Sequence, residues 1–171
     1  MKVIQYMSIT VNGYIAKDND DTSFVSPVEW KSFRKMIKRV GNMIVGRKTY
    51  EIMLRNNEFA GLDKIKVVVV TGNKSFTVSG KSHTAALSPQ KALEIICQQG
   101  FQEALVAGGG GLNTSFMEEG LVDELYLDIE PIILGKGLPL FREAEWEVKL
   151  KLLKVKKLSA QEVQLHYKIV K

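Results

Sequence analysis

From Val3 to Ala16 the chain is dominated by strong β-formers and broken only at Asn12-Gly13, which predicts a strand followed by the polar loop Lys17 to Thr22. The pattern then changes period. Trp30, Phe33, Ile37 and Val40 recur at helical spacing behind Ser26-Pro27-Val28-Glu29, an N-cap serine, a first-turn proline and a capping-box glutamate, and Gly41 closes the helix. Met43-Ile44-Val45 reads as a short buried strand running into Gly46-Arg47-Lys48-Thr49-Tyr50, the start of a second helix. Ile65 to Thr71 is apolar on both faces, as a parallel strand is, and Ser88-Pro89 opens a third helix with Ala92, Leu93, Ile96 and Cys97 turned inward. The valine strand ends in Gly72-Asn73-Lys74-Ser75; His83 reads as lying in a polar loop, and His166 on the solvent face of the last strand, Val163 to Val170.

Ala104 to Ala107 is another strand, and it ends in the run Gly108-Gly109-Gly110-Gly111 before a helix carrying Leu112, Ser115 and Phe116. Consecutive glycines lose much backbone entropy on folding, so they mark close approach or positive φ. Two readings follow: a tight strand-to-helix turn, or a phosphate cradle at a helix N-terminus. Leu125 to Ile129 is a strand, Pro131 to Leu140 a glycine-bearing loop, and Val148 to Leu158 with Val163 to Val170 a closing antiparallel pair. The phase slip at Leu152-Leu153 predicts a bulge in the first of these. The pattern is that of one α/β domain spanning residues 1–171: a mostly parallel sheet, helices on both faces, an antiparallel C-terminal edge pair.

Composition narrows the chemistry. A chain of 171 residues, 45% hydrophobic and 25% charged, is an ordinary globular composition. The single cysteine and two histidines leave no disulfide framework and no recognisable zinc site, and no stretch resembles a signal peptide or a membrane span, so a cytoplasmic protein with no membrane partner is expected. The net charge of +5 raises nucleic-acid binding as an alternative. Many lysines, however, alternate with apolar residues on the C-terminal strands, as at Lys149, Lys151, Lys154 and Lys156, without aromatic interleaving; a solvated strand face explains them, and no nucleic-acid partner is expected.

Three strand ends carry loops suited to a ligand: Gly46 to Thr49, Thr71 to Lys74 and Gly108 to Gly111. In open α/β sheets ligands bind at the carboxyl ends of strands, so the three together point to a shared nucleotide site. A Walker loop is absent, because Gly80-Lys81-Ser82 has Ser75 where the first glycine is required, and the dinucleotide fingerprint fails at Asn113. Two cationic loops flanking the glycines suit a ligand with several phosphates.

The order of Ser8-Ile9-Thr10-Val11-Asn12-Gly13-Tyr14-Ile15-Ala16, Val45 to Tyr50, Ala107 to Gly110, and Val122-Asp123-Glu124-Leu125-Tyr126-Leu127 through Gly137 resembles the dihydrofolate reductase superfamily. The segment from Asp123 to Phe141 is most similar to the reductase domain of the riboflavin-pathway deaminase-reductase and its stand-alone relatives. The resemblance implies a dihydrofolate reductase-like fold, NADPH as hydride donor, a small heterocyclic substrate with a C=N bond, and a homodimer formed through the sheet edge or the Pro131 to Leu140 loop. By position it implies that Ala107, Gly108, Gly109, Gly110, Gly111 and Leu112 hold the pyrophosphate side, with a cis peptide in the glycine run. Gly46, Arg47, Lys48 and Thr49 hold phosphates and adenosine, Thr71 and Lys74 lie near the 2′-phosphate, and Ser8, Ile15 and Ala16 line the nicotinamide. A reductase-like nucleotide-binding protein without turnover is the alternative.

For the substrate side the resemblance points to Glu29 as the carboxylate of the first helix, against its other reading as a solvent-facing capping-box residue. Asp128 is the second candidate carboxylate, against a solvent-facing position on its strand. The proline-tryptophan pair of the dihydrofolate reductase lid and the aspartate-rich proline motif of the riboflavin-pathway reductases are both missing, which leaves the heterocycle open.

Overall fold

The computed structural model describes residues 1–171. Its strands are β1 (Lys2–Thr10), β2 (Tyr14–Ala16), β3 (Asn42–Gly46), β4 (Lys66–Val70), β5 (His83–Ala86), β6 (Glu103–Val106), β7 (Glu124–Glu130), β8 (Leu138–Pro139), β9 (Lys149–Lys157) and β10 (Val163–Val170). The helices are α1 (Pro27–Val40), α2 (Arg47–Arg55), α3 (Pro89–Gln98) and α4 (Gly110–Glu118). Eight strands form one sheet in the order β5-β4-β3-β6-β1-β7-β10-β9, parallel except for β10, which runs antiparallel to both its neighbours. β2 and β8 pair separately, above the end of β1.

Period-two alternation divides the core into two layers. Ile4, Met43, Val45, Val67, Val69 and Leu105 pack against α1 and α2, while Val3, Ile44, Val68, Ala104 and Val106 pack against α3 and α4. Every one of these strand residues is at least 97% buried, so both faces of the central strands are sealed, as βαβ crossovers require.

The predicted caps form: Ser26 Oγ accepts from Glu29 N at 3.0 Å, Ser88 Oγ accepts from Lys91 N at 3.2 Å, and Gly41 takes a left-handed φ of 79°. The predicted bulge also forms, since His166 pairs with Lys154 and Tyr167 with Leu152, leaving Leu153 extra.

Some expectations are corrected. His83 does not lie in a loop; it begins β5, the parallel edge strand, and its Nδ1 sits 2.8 Å from Tyr50 Oη. His-Thr-Ala-Ala has little β character, and pairing with the four-valine strand overrides that weakness. Cys97 is exposed rather than inward, because the buried stripe of α3 runs through Ala92 and Ile96. His166, expected on the solvent face, is half-buried, stacks on Tyr126 at 3.9 Å between centroids, and lies 2.9 Å from Glu124 Oε2.

Candidate active site

Each parallel strand delivers its carboxyl end to one side of the sheet, and the loops there enclose a cleft of about 630 Å³. The glycine run forms its floor. Gly109 is the N-cap of α4 with no side-chain cap, so the first-turn N–H groups face open space. The Gly108–Gly109 peptide is cis, and Gly108 O accepts from Gly46 N at 2.8 Å, tying the glycine run to the start of α2.

A side chain cannot be accommodated at the floor. A Cβ at Gly110 would lie 2.7 Å from Pro139 O, and one at Gly109 would lie 3.2 Å from Thr49 Oγ1. Gly108 itself has φ of 82°, and a Cβ there would lie 2.8 Å from the Met7 sulfur.

Of the residues expected along a cofactor, Ile15, Ala16, Gly46, Arg47, Lys48, Thr49, Thr71, Ala107, Gly109, Gly110, Gly111 and Leu112 all line this cleft. Gly108 lies behind the floor, and Lys74 stands on an exposed turn outside the cleft wall. Ser8 lines an adjoining cavity. Arg47 and Lys48 are held in ion pairs, with Glu51 at 2.8 Å and with Asp20 at 3.2 Å. Arg142 lines the cleft beside Gly111 and makes no ion pair; nothing local in Phe141-Arg142-Glu143 marks it, since its placement depends on Arg142 N donating to Thr114 Oγ1 at 2.8 Å.

The adjoining cavity, about 270 Å³, opens from the same cleft at Met7, Ile15, Thr22, Glu58 and Ala107. Tyr6, Trp30 and Phe33 form its aromatic wall, and Glu29 reaches into it. Glu29 is not the solvent-facing capping residue. Its backbone is capped by Ser26, but the reciprocal bond to Ser26 N, expected from Glu29, comes from Glu130 Oε1 at 3.0 Å. The freed Glu29 carboxyl is 4% exposed and has no hydrogen bond within the chain. Burial, reinforced by the charges of Asp128, Glu130, Glu162 and Glu58, pushes its pKa up to about 9.

Asp128 is likewise buried, not solvent-facing, at 1% exposure. It does not touch the cavity. Tyr6 Oη donates to its Oδ2 at 2.5 Å and Gln164 Nε2 to its Oδ1 at 2.8 Å, so Asp128 holds the Tyr6 ring in the cavity wall. Burial raises the Asp128 pKa, opposed by these hydrogen bonds, and burial with the neighbouring carboxylate raises that of Tyr6. Tyr6→Phe is expected to cost about 1.5–3 kcal/mol, the scale of a hydrogen bond to a charged group, measured by urea unfolding.

A parallel sheet with a glycine-floored cleft at its carboxyl ends and a carboxylate-bearing side cavity defines a dihydrofolate reductase-like α/β protein. The structure superposes with TM-score 0.73 on dihydrofolate reductase from Enterococcus faecalis complexed with NADP(H) and RAB-propyl, at 17% identity over 99% of this chain and 97% of that one. Residues 1–164 match the RibD C-terminal domain family, and the chain belongs to it. It is 30% identical to YwjB of Bacillus subtilis (strain 168), an uncharacterised protein, across 97% of each chain. It also superposes, with TM-score 0.75 and 18% identity, on the diaminohydroxyphosphoribosylaminopyrimidine deaminase/5-amino-6-(5-phosphoribosylamino)uracil reductase of Thermotoga maritima, covering 99% of this chain and 56% of that one. No helix is long and apolar enough to cross a membrane.

Proposed function

We propose that the protein is an NADPH-dependent reductase acting on a C=N bond or ring-opened imine of a small nitrogen heterocycle, a pteridine or a ribosylaminopyrimidine. The observation that carries this reading is the continuity of the glycine-floored cleft with the cavity that holds Glu29. The residues fit the cofactor: a glycine floor that carries no side chains, an uncapped helix N-terminus, and three cations on the rim. NADPH, when bound, supplies the hydride. Gly109 to Gly111 leave the α4 N–H groups clear for a pyrophosphate, while Arg47, Lys48 and Arg142 supply positive charge to the phosphates. Met7, Ile15 and Ala107 give the junction of the two spaces an apolar side, with Thr22 and Glu58 on its polar side. Glu29 carries a proton at neutral pH and faces the substrate space, so it is placed to give that proton to a ring nitrogen.

Titration of NADPH and NADH, followed by quenching of Trp30 fluorescence, tests the reading; absence of binding by either dinucleotide overturns it. Arg47→Ala is expected to weaken NADPH by about 10-fold or more, the scale of a lost charge-assisted hydrogen bond, and NADH by less. A larger loss for NADPH would put Arg47 within reach of the 2′-phosphate, and equal losses would put it at the phosphates that the two dinucleotides share. Binding without oxidation of NADPH by any heterocycle would leave a nucleotide-binding protein without turnover.

A homodimer through the β9 edge belongs to the same reading. All nine β9 residues are exposed, and Leu150, Leu152 and Val155 are 42–56% exposed. Register places them beside Ile169, Tyr167 and Leu165, extending the α3–α4 core face beyond the helices. Leu152→Lys is expected to convert a dimer to a monomer in light-scattering measurements of mass.

A further inference from the structure

Tyr50 joins two walls of the cleft without lining it. It follows Thr49, which does line the cleft, and its own side chain is in the core at 1% exposure. There its hydroxyl accepts from Ser79 N at 3.0 Å and lies 2.8 Å from His83 Nδ1. We propose that Tyr50 and His83 form a clasp that positions the loop from Thr71 to Ser79 against α2, keeps the Thr71–Gly72 side of the cleft in place for a dinucleotide, and opens when His83 takes up a proton. Only the consequence for the dinucleotide rests on the reductase reading.

The loop has few other ties. Among the amide groups from Thr77 to Ser82, that of Ser79 alone donates to another group of the chain. The near end of the loop is closed by local turns, in which Asn73 N donates to Thr71 Oγ1 at 3.1 Å and Ser75 N to Asn73 Oδ1 at 3.0 Å. Phe76 meets the Tyr50 ring edge-on, with centroids 6.1 Å apart. Tyr50 therefore holds the loop at Phe76 and again at Ser79. Because the same segment begins with Thr71 and Gly72, two residues of the cleft wall, releasing its far end loosens that wall.

Proton positions make the clasp conditional. Tyr50 Oη has one hydrogen and accepts from Ser79 N, so its hydrogen goes to His83 Nδ1, and the neutral ring carries its own proton on Nε2. A proton added to His83 goes to Nδ1, and two donors then face each other across 2.8 Å. The surroundings oppose that charge. Phe59 lies against the ring at 4.9 Å between centroids, and a Cβ at Gly80 would collide with Nδ1, so the loop backbone passes directly over the imidazole. Burial, together with the charge of Lys66 on β4, lowers the His83 pKa below its ordinary value. No carboxylate answers it: Glu51 beside Tyr50 pairs with Arg47 at 2.8 Å, Glu58 beside Phe59 lines the cleft, and Asp63, Lys64 and Lys81 on the flanking loops are exposed. His83 is thus neutral and the clasp closed near neutral pH, and the clasp opens as pH falls through the lowered value.

Three measurements on the intact protein test the clasp: NMR of nitrogen-15-labelled histidine, amide exchange at Ser79, and titration with NADP⁺, which is stable to acid. At neutral pH the His83 ring should carry its proton on Nε2. Tyr50→Phe, which keeps the ring and removes the hydroxyl, should speed Ser79 exchange and weaken NADP⁺ about 3- to 10-fold, the scale of one net hydrogen bond. Wild type acidified past the His83 titration should show the same two changes. In His83→Asn, Oδ1 can stand where Nδ1 does without titrating; both values should stay within about 2-fold of wild type at neutral pH, and the acid response should vanish. Protonation of the NADP⁺ 2′-phosphate is common to all three proteins, so the difference between them isolates His83. By linkage, bound NADP⁺ should move the His83 titration to lower pH. A proton on Nδ1 at neutral pH, or Ser79 exchange unchanged by Tyr50→Phe, overturns the clasp. An acid response that persists in His83→Asn overturns its trigger, and faster exchange with unchanged NADP⁺ affinity overturns its role in the cleft. If no dinucleotide binds, the reductase reading falls, and the ring tautomer and Ser79 exchange still decide the clasp.

Discussion

Replacing Glu29 by glutamine is expected to lower turnover by about 10²-fold or more, the range of a lost general acid, with NADPH binding nearly unchanged. The wild-type rate should hold through neutral pH and fall as pH rises through about 9, where the buried carboxyl loses its proton, and Glu29→Gln should lose that descending limb. A profile that is the same for both proteins would remove Glu29 from proton transfer. Stability carries an independent signature. The carboxyl has a folded pKa near 9 against an ordinary value of 4.5, so between those values the folded state holds a proton that the unfolded chain has released. The Glu29 contribution is therefore full below about 4.5 and is lost as pH rises towards 9. At pH 9, Glu29→Gln is expected to be more stable than wild type by on the order of 1–4 kcal/mol, since it removes a buried charge set among Asp128, Glu130 and Glu162. Chemical denaturation of both proteins at pH 5 and pH 9 measures the difference.

The second large effect is expected at Gly110. Gly110→Ala would place a methyl group 2.7 Å from the Pro139 carbonyl, a backbone atom that a rotamer change cannot move. β8 must then shift away from the glycine run, and its partner β2, which carries Ile15 and Ala16, must follow. A stability loss of about 1–3 kcal/mol is expected from overpacking, with dinucleotide affinity down at least about 10-fold. Gly111→Ala is the informative contrast. Its methyl group meets only the mobile end of Arg142, at 2.9 Å, so the fold should survive while the Arg142 guanidinium is displaced. If both variants lose stability equally, the close approach of β8 is not what restricts position 110.

The two variants bear on different parts of the reading. Gly110 concerns the cradle, whose geometry comes from a strand end, an uncapped helix and the β2–β8 pair. Glu29 concerns the substrate space, whose chemistry comes from burying carboxylates close together on one face of β1, β7 and β10. Both spaces share Met7, Ile15, Thr22, Glu58 and Ala107 and are therefore continuous.

Features written in short-range patterns were legible along the chain. The capping serines, Gly41, the valine strand, the glycine run and the Leu153 bulge each depend on neighbours within a few residues, and each forms as its local spacing predicts. Most residues that the resemblance assigns to a cofactor line one cleft, because they lie on three compact loops at strand ends. What escaped local reading depends on register between distant segments. Glu130 takes the Ser26 N–H from 104 residues away, which releases Glu29 from its cap and turns it into the cavity. Asp128 is buried because β7 pairs with β1 on one side and β10 on the other, bringing Tyr6 and Gln164 to its two oxygens. Arg142 reaches Gly111 only because its own backbone N–H is held by Thr114. Local sequence thus specified the glycine run, the helix starts and the strands other than β5, since hydrogen bonding and backbone freedom act between near neighbours. The state of Glu29 was settled by the packed fold, because burial and the proximity of charges arise only when distant strands are brought side by side.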